Sequence, residues 1–394
     1  MKSWRGLFLR VLFALIFGAV LLDLGLRVLS RTEGEHLTLF GLKLLPFERL
    51  TVAHAAVLER APAAADYIVP DAHLGWTIRP NGRSTDGLFQ SDARGLRCGA
   101  AAPPETLGAA ALLLSGDSFT HGDELPWEST WSAQLQQQLG VAHRVHNAGV
   151  PGYGTDQALL RAEALLPELR PKQVVMALCR DDLLRNVNIV RAFYLHWTDF
   201  PWTKPRFVLR DGVLDLVNQP TVPVADVAAV VRGFEASSLV AFDDCFRPGF
   251  YAEPWTDSFR LLRFLRSRRE HRERHEHLLH LVSEGGEAVQ TTAAILERFA
   301  HSARAQGAQP LVLLLPQADD LPRYKSGTAS VFAPLLRLLQ AAQVPCRDLG
   351  PTLLASLQPG EECSALFVNG SGHPNERAAA LIAASVAAWV REQH

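Results

Sequence analysis

The sequence predicts an α/β domain in which a parallel sheet lies between two layers of helices, preceded by an N-terminal membrane anchor. Three observations carry that reading. Short apolar runs at 111–115, 145–147, 174–179, 310–315 and 344–349 have the length and continuity of strands buried on both faces. They alternate with longer stretches at 130–139, 155–169, 289–306, 331–342 and 374–392 whose apolar residues recur at helical spacing. Right-handed crossovers between parallel strands place such helices on both faces, giving a three-layer α/β/α domain of flavodoxin-like type. Third, the turns near these elements are rich in Gly and polar residues, and the crevice at the carboxyl ends of parallel strands is where ligands bind.

Taken in order, the chain opens with Lys2, Arg5 and Arg10, followed by an uninterrupted apolar run over 11–22. Positive charge before an apolar run has the shape of an export signal, and no small-residue cleavage pattern follows it. Arg10 can snorkel to one face and Asp23 and Arg27 can reach the other, so 7–29 is expected to cross a membrane uncleaved, positive end inside. Residues 1–34 are thus expected to be a signal-anchor and 35–104 a stalk and extended N-terminal segment. The pattern over 35–65 is helical in period and broken at Pro46. Residues 71–98 hold many turn residues and arginines, as in an extended segment laid against the main domain. Arg94 and Arg97 are expected to pin that segment, with contact to an anionic substrate as the alternative. An Ala/Pro-rich linker is expected at 101–107, and the main domain spans 105–394.

The main domain begins with ALLLSGDSFTHG, residues 111–122. An apolar run that empties into Gly116, Asp117 and Ser118 reads as strand, tight turn and helix start. Ser118 sits on the turn, where it is either a nucleophile or a cap for the following helix. The loop NAGVPGYG, from Asn147 to Gly154, brings three glycines to a second strand end, suited to aiming backbone N–H groups at a ligand. The run ending at Cys179 leads into Arg180, Asp181 and Asp182. Near the C-terminus GSGHPNER places His373 before Pro374 and Asn375, with Pro374 expected to open the last helix at its first position. With all strands parallel, Ser118, Gly152, Asp181 and His373 lie on one sheet edge, the makings of nucleophile, base and oxyanion site. Ser118 and His373 are expected about 3 Å apart.

These blocks resemble the SGNH (GDSL-type) hydrolase family: Gly116-Asp-Ser118, Asn147-Ala-Gly-Val-Pro-Gly152 and His373-Pro-Asn375 match in order, from about Leu112 onward. Leu74-Gly-Trp76, Arg79-Pro-Asn81 and 91–97 (SDARGLR) resemble its membrane-anchored bacterial branch. The resemblance implies the same three-layer fold, with Ser118 and His373 catalytic. It also implies an oxyanion hole from Ser118, Gly152 and the Asp181 position, and supporting roles for Gly116, Asp117, Asn147, Asp182 and Asn375. It implies no metal or organic cofactor. A single-pass inner-membrane protein with its main domain on the periplasmic side follows, acting on an ester substrate such as an acylated carbohydrate. Two positions depart from the family pattern. Asp181 stands where the family has an asparagine, and the acid expected two or three residues before the histidine is replaced by Ser371 and Gly370. Asn369, Asp348 and Asp156 are candidates to orient His373 instead. Two functions follow: a serine esterase or O-acyltransferase on acetyl groups of envelope or exported polysaccharide, or a catalytically impaired relative with a glycan-binding or assembly role.

An insertion at about 187–288 interrupts the alternation, as functional additions to compact domains do. Its stretch 205–216 reads as a hairpin turning at Asp211-Gly212. Its stretch 258–281 reads as a helix with Arg260, Arg263, Arg266, Arg269 and Arg272 in one series, expected to face solvent, with anionic lipid headgroups or an acidic glycan as the alternatives. His271 and His275 on it are expected to be solvated. A net charge of −2 over 394 residues excludes nucleic-acid binding driven by overall charge. The five cysteines show no C-x-x-C spacing, which argues against a zinc ribbon or redox pair.

Overall fold

The computed structural model describes residues 2–393 apart from 61–62, 64–65, 101–108 and 370–371. The expected linker at 101–107 and the positions of Gly370 and Ser371 therefore lie outside the described residues. The chain divides into two compact units, Met1–Thr51 with Phe246–His280, and Val52–Cys245 with Leu281–His394.

The first unit contains an N-terminal helix, Lys2–Leu29, whose segment Gly6–Leu29 is long and apolar enough to cross a membrane, with mean hydropathy 2.4. The helical stalk expected over 35–65 is corrected: its first part is a small antiparallel sheet of Arg31–Glu33, His36–Leu39 and Leu42–Lys43. Phe40 and Gly41 take left-handed φ values of 53° and 77°, folding Leu42 back onto Leu39 and cutting the helical period. Among the described residues of that stretch, only Val52–Glu59, in the second unit, is helical. The helix Arg260–Leu281 completes the first unit. His271 is not solvated as expected: its Nε2 lies 2.9 Å from the Lys43 carbonyl and its ring packs against Phe250. The arginine series is largely engaged too, with Arg263 donating to the Leu45 carbonyl, Arg266 pairing with Asp257 and Arg272 with Glu276.

The second unit is built on five parallel strands: β1 (Ala110–Ser115), β2 (His143–Asn147), β3 (Gln173–Leu178), β4 (Gln309–Leu314) and β5 (Cys346–Asp348). Their spatial order is β5-β4-β3-β1-β2. The chain leaves β1 toward one side and returns on the other at β3, so the topological switch point lies between β1 and β3. The helices are α1 (Ser118–His121), α2 (Trp131–Leu139), α3 (Thr155–Leu169), α4 (Arg180–Arg185), α5 (Glu287–Ala305), α6 (Ala333–Ala341) and α7 (Glu376–Glu392). Alternate side chains of the central strands, Leu112, Leu114, Val175, Ala177, Leu311 and Leu313, pack with Trp131, Leu135, Ile382 and Val386 of α2 and α7. On the other face α3 and α5 pack together against the sheet, completing three layers.

The expected hairpin is present as Arg206–Arg210 and Val213–Val217, joined by Asp211 and Gly212 at positive φ, the pairing a two-residue primed turn requires. Arg97 pins its segment as expected: it is buried and donates to the carbonyls of Gly122 and Leu125, while its backbone pairs with Asn147. Arg94 also ties the segment down, pairing with Glu168 of α3 at the surface. The placement of Pro374 at the first helical position is corrected. Asn375 caps α7, its side-chain oxygen accepting from the Ala378 N–H, and Pro374 lies before it in a bridge to Phe367. Asparagine offers the orphan helix donors an acceptor that proline lacks.

Candidate active site

Ser118 is the first residue of α1, immediately beyond the carboxyl end of β1. Asp117 is the N-cap of α1: its side chain accepts from the Phe119 N–H at 2.9 Å. Gly116 is required by close approach, since a Cβ there would fall 2.3 Å from Thr120 Oγ1 and 2.4 Å from the Ala177 carbonyl of β3. The serine is thus set on a short rigid turn rather than on a mobile loop. Trp131 of α2 adds to this by donating its indole N–H to the Phe119 carbonyl.

His373 comes to it from the turn before α7. Its Nε2 lies 2.9 Å from Ser118 Oγ. Its Nδ1 lies 3.4 Å from a carboxylate oxygen of Glu124, and its ring meets Phe119 edge-on at 5.4 Å between centroids. Glu124 is the acid that the sequence reading missed. Its only sequence signal is the acidic pair Asp123-Glu124 shortly after Ser118, which nothing in the spacing ties to His373. The backbone adds a second sign, for Glu124 holds φ at 68°. That left-handed conformation costs a side-chain-bearing residue about 1–2 kcal/mol, and such strain clusters at functional sites.

Two of the other candidates for that role are engaged elsewhere. Asp348 accepts from Tyr324, Ser330 and the Gly350 N–H. Asp156 is buried against Lys204. The Asn369 candidate is not the residue found at His373 Nδ1, which meets Glu124.

Beneath Ser118 a buried cluster ties three loops together. One terminal nitrogen of Arg185 donates to Asp117 at 2.9 Å, Asp182 at 2.7 Å and the Tyr153 carbonyl at 3.0 Å. Asp182 also accepts from the Cys179 N–H, and the Cys179 thiol donates to Asp117 at 3.4 Å. Burial pushes the Cys179 thiol far up, with Asp117 and Asp182 adding to it, so it stays protonated. Burial and the neighbouring Asp117 raise the Asp182 carboxyl, against the pull of Arg185. Asp117, Cys179 and Asp182 have the chemistry of a cation site. The guanidinium already supplies the positive charge there.

Asp181, beside Asp182 in the first turn of α4, behaves differently. Burial raises its carboxyl, but Arg185 at 3.8 Å and hydrogen bonds from Tyr194 and Gln317 outweigh it and hold the carboxyl below the usual range. It is ionised and offers only acceptors. Gly152 holds φ at 79°, and a Cβ there would meet the Phe200 ring at 2.9 Å and Arg191 at 3.1 Å. The Trp76 indole donates to the Pro151 carbonyl and Arg191 to the Gly152 carbonyl. In a trans peptide N–H and C=O point oppositely, so the Gly152 N–H is turned away from Trp76. Asn147 is a loop clamp: its amide donates to the Thr120 carbonyl and Ser132 Oγ, and its oxygen accepts from the Gly149 N–H. The small cleft lined by Ser118, Gly122, Leu125, Trp131 and His373 includes neither Gly152 nor Asp181.

A serine and a histidine in hydrogen-bonding contact at the carboxyl edge of a parallel sheet, with a carboxylate behind the histidine, form the arrangement by which serine hydrolases are recognised. The chain is similar to a lipase/acylhydrolase from Enterococcus faecalis, at 13% identity over 72% of this chain and 96% of that one, with a TM-score of 0.37. It is similar also to a putative lipolytic protein of the G-D-S-L family from Desulfitobacterium hafniense, at 11% identity, covering 71% and 99% of the two chains, TM-score 0.32. An acetyl xylan esterase is matched at 11% identity over 71% and 98%, TM-score 0.39. No family model matches the sequence, and no curated protein matches it.

Proposed function

We propose that this protein is an SGNH-type serine esterase or O-acyltransferase that transfers an acetyl or similar group from an acylated carbohydrate of the envelope or of exported polysaccharide. The N-terminal helix serves as a single inner-membrane anchor and the Ser118 domain lies on the periplasmic side. The observation that carries the reading is the 2.9 Å contact between Ser118 Oγ and His373 Nε2, backed by Glu124 at Nδ1.

Ser118 Oγ attacks the ester carbonyl carbon while its proton passes to Nε2. Glu124 holds the other ring proton on Nδ1, leaving the Nε2 lone pair toward the serine. The tetrahedral oxyanion is met by the Ser118 N–H, which as the first helical residue has no intrahelical acceptor, and by the Gly152 N–H. Collapse breaks the bond to the alcohol oxygen, which takes the proton from Nε2, and leaves the acyl group on Ser118. Water then completes hydrolysis, or a sugar hydroxyl completes transfer.

Asp181 supports a second reading, an impaired relative, because an ionised carboxylate repels the developing oxyanion. The two readings separate on Asp181→Asn. Hydrolysis of a small acetyl ester is expected to rise about tenfold or more, on the scale of one oxyanion donor. Because the Asp181 carboxyl is held below its usual range, it is already ionised through the neutral region, so the gain is expected to be constant with pH there. Wild-type activity that falls with rising pH while the asparagine variant stays flat would instead mark Asp181 as a protonated donor.

Glu124 gives a test of its own. Its carboxylate is 41% exposed and 3.4 Å from the ring, so Glu124→Gln is expected to lower kcat by about tenfold, well short of the ~10⁴ lost with a buried orienting acid. Glu124→Gly removes the same carboxylate and relieves the left-handed backbone, so activity is expected to fall while stability rises by about 1 kcal/mol. Urea denaturation alongside the esterase assay reads both signs. Activity unchanged in both variants would remove Glu124 from the mechanism.

A further inference from the structure

We infer that the start of the helix Arg260–Leu281 is a second membrane-contacting element, seated in the interfacial zone of the same bilayer that the N-terminal helix crosses. The inference rests on the reading of Gly6–Leu29 as a membrane span. From Gly6 to Asp23 that helix rises about 26 Å at 1.5 Å per residue, close to the ~30 Å hydrocarbon thickness, so Asp23 marks the level where headgroups begin. At that level the two segments are joined directly. The Asp23 carboxylate accepts the backbone N–H of Arg260, and Arg27 donates to the Ser258 carbonyl. Asp23 also pairs with Arg27 at 2.6 Å, so both charges are neutralised within one local network.

Around this junction the surface is apolar where a water-facing helix would be polar. Trp255 is 76% exposed, Phe259 47%, Leu262 42% and Leu265 50%. The Trp255 and Phe259 rings meet edge-on at 6.3 Å. Phe259, Leu262 and Leu265 recur at three-residue spacing. The helix's other side is satisfied within the unit: Phe264 packs against the cluster of Leu26, Leu39 and Leu44, and Ser267 accepts from the Leu45 N–H. An unpartnered apolar strip led by an aromatic pair, fixed at the depth where an anchor leaves the hydrocarbon, has the chemistry of the aromatic belt. The occupant it fits is lipid, and the continuity with the anchor selects lipid over a protein groove.

The full chain in nanodiscs tests this, with phosphatidylcholine brominated on its acyl chains compared with unbrominated lipid. The emission difference between wild type and Trp255→Phe isolates Trp255, an exposed residue outside the candidate active site. Its emission is expected to be lost in brominated lipid and to resist aqueous iodide. Full Trp255 emission in brominated lipid with ready iodide quenching would overturn the inference. Protection from both quenchers with a doubled particle mass would overturn it in favour of a second copy of the chain. The difference between wild type and Trp4→Phe reads the anchor separately. Trp4 quenched with Trp255 unquenched sinks this inference alone, whereas neither quenched sinks the anchor reading. Leu262→Asp with Leu265→Asp, both at exposed positions, is expected to restore iodide access to Trp255 without loss of the helix by circular dichroism.

Discussion

Ser118→Ala is expected to abolish covalent labelling by a fluorophosphonate and to lower hydrolysis of a small acetyl ester by about a thousandfold or more. Removing the hydroxyl leaves His373 and the Gly152 turn in place, so any remaining rate comes from binding and backbone donors. The substitution is small: Ser118 is buried at the start of α1, and its hydroxyl meets His373. The fold should therefore survive, and circular dichroism and the urea midpoint are expected to stay near wild type. His373→Ala should lose ester hydrolysis similarly while retaining the hydroxyl, so only slow residual labelling is expected. Equal labelling of wild type and Ser118→Ala would remove Ser118 as the nucleophile. Failure of the wild type to label, with no gain from Asp181→Asn, would favour the impaired reading.

Arg185→Met is expected to cost about 3–5 kcal/mol of stability, because it leaves two buried carboxylates without their shared cation. Asp117 and Asp182 each lie within 3 Å of the same guanidinium nitrogen, and Asp117 also caps the helix that carries Ser118. The loss should therefore reach activity as well as stability. Its pH dependence has a definite sign. Burial and Asp117 already raise the Asp182 carboxyl, and without Arg185 it rises further. A carboxyl whose folded pKa exceeds its unfolded value contributes stability below the unfolded pKa and loses it as pH rises through the folded one. The deficit of Arg185→Met relative to wild type should thus be smallest in acid and grow toward neutral pH. Urea midpoints in mildly acid and neutral buffer measure this, and a deficit that shrinks as pH rises would contradict the buried-carboxylate account. Arg185→Lys keeps the charge without the planar fork and is expected to fall between the two.

The layers follow closely from local pattern. The expected helix at 155–169 is the observed Thr155–Leu169, and each predicted sheet strand overlaps an observed one. A residue's burial on a strand or helix depends on a period of two or 3.6, which a window of ten residues already contains. The stalk failed for a related reason. Its apolar residues carry either period, and Phe40-Gly41 at positive φ chose the hairpin, a conformation no apolar count reports.

At the site, the chain by itself determined that Ser118 and His373 end up on one sheet edge, since both follow from strand direction and turn position along a parallel sheet. It also determined that Asp181 departs from an amide, because that is a matter of identity at one position. What only the tertiary structure decided is which acid stands behind the histidine and what state Asp181 holds. Glu124 and His373 are 249 residues apart, and their approach depends on how α7 packs over the turn after α1 rather than on either local sequence. Asp181 is ionised because Arg185, Tyr194 and Gln317 converge on it from three places, and the sum of burial against those neighbours exists only once the chain has closed around them.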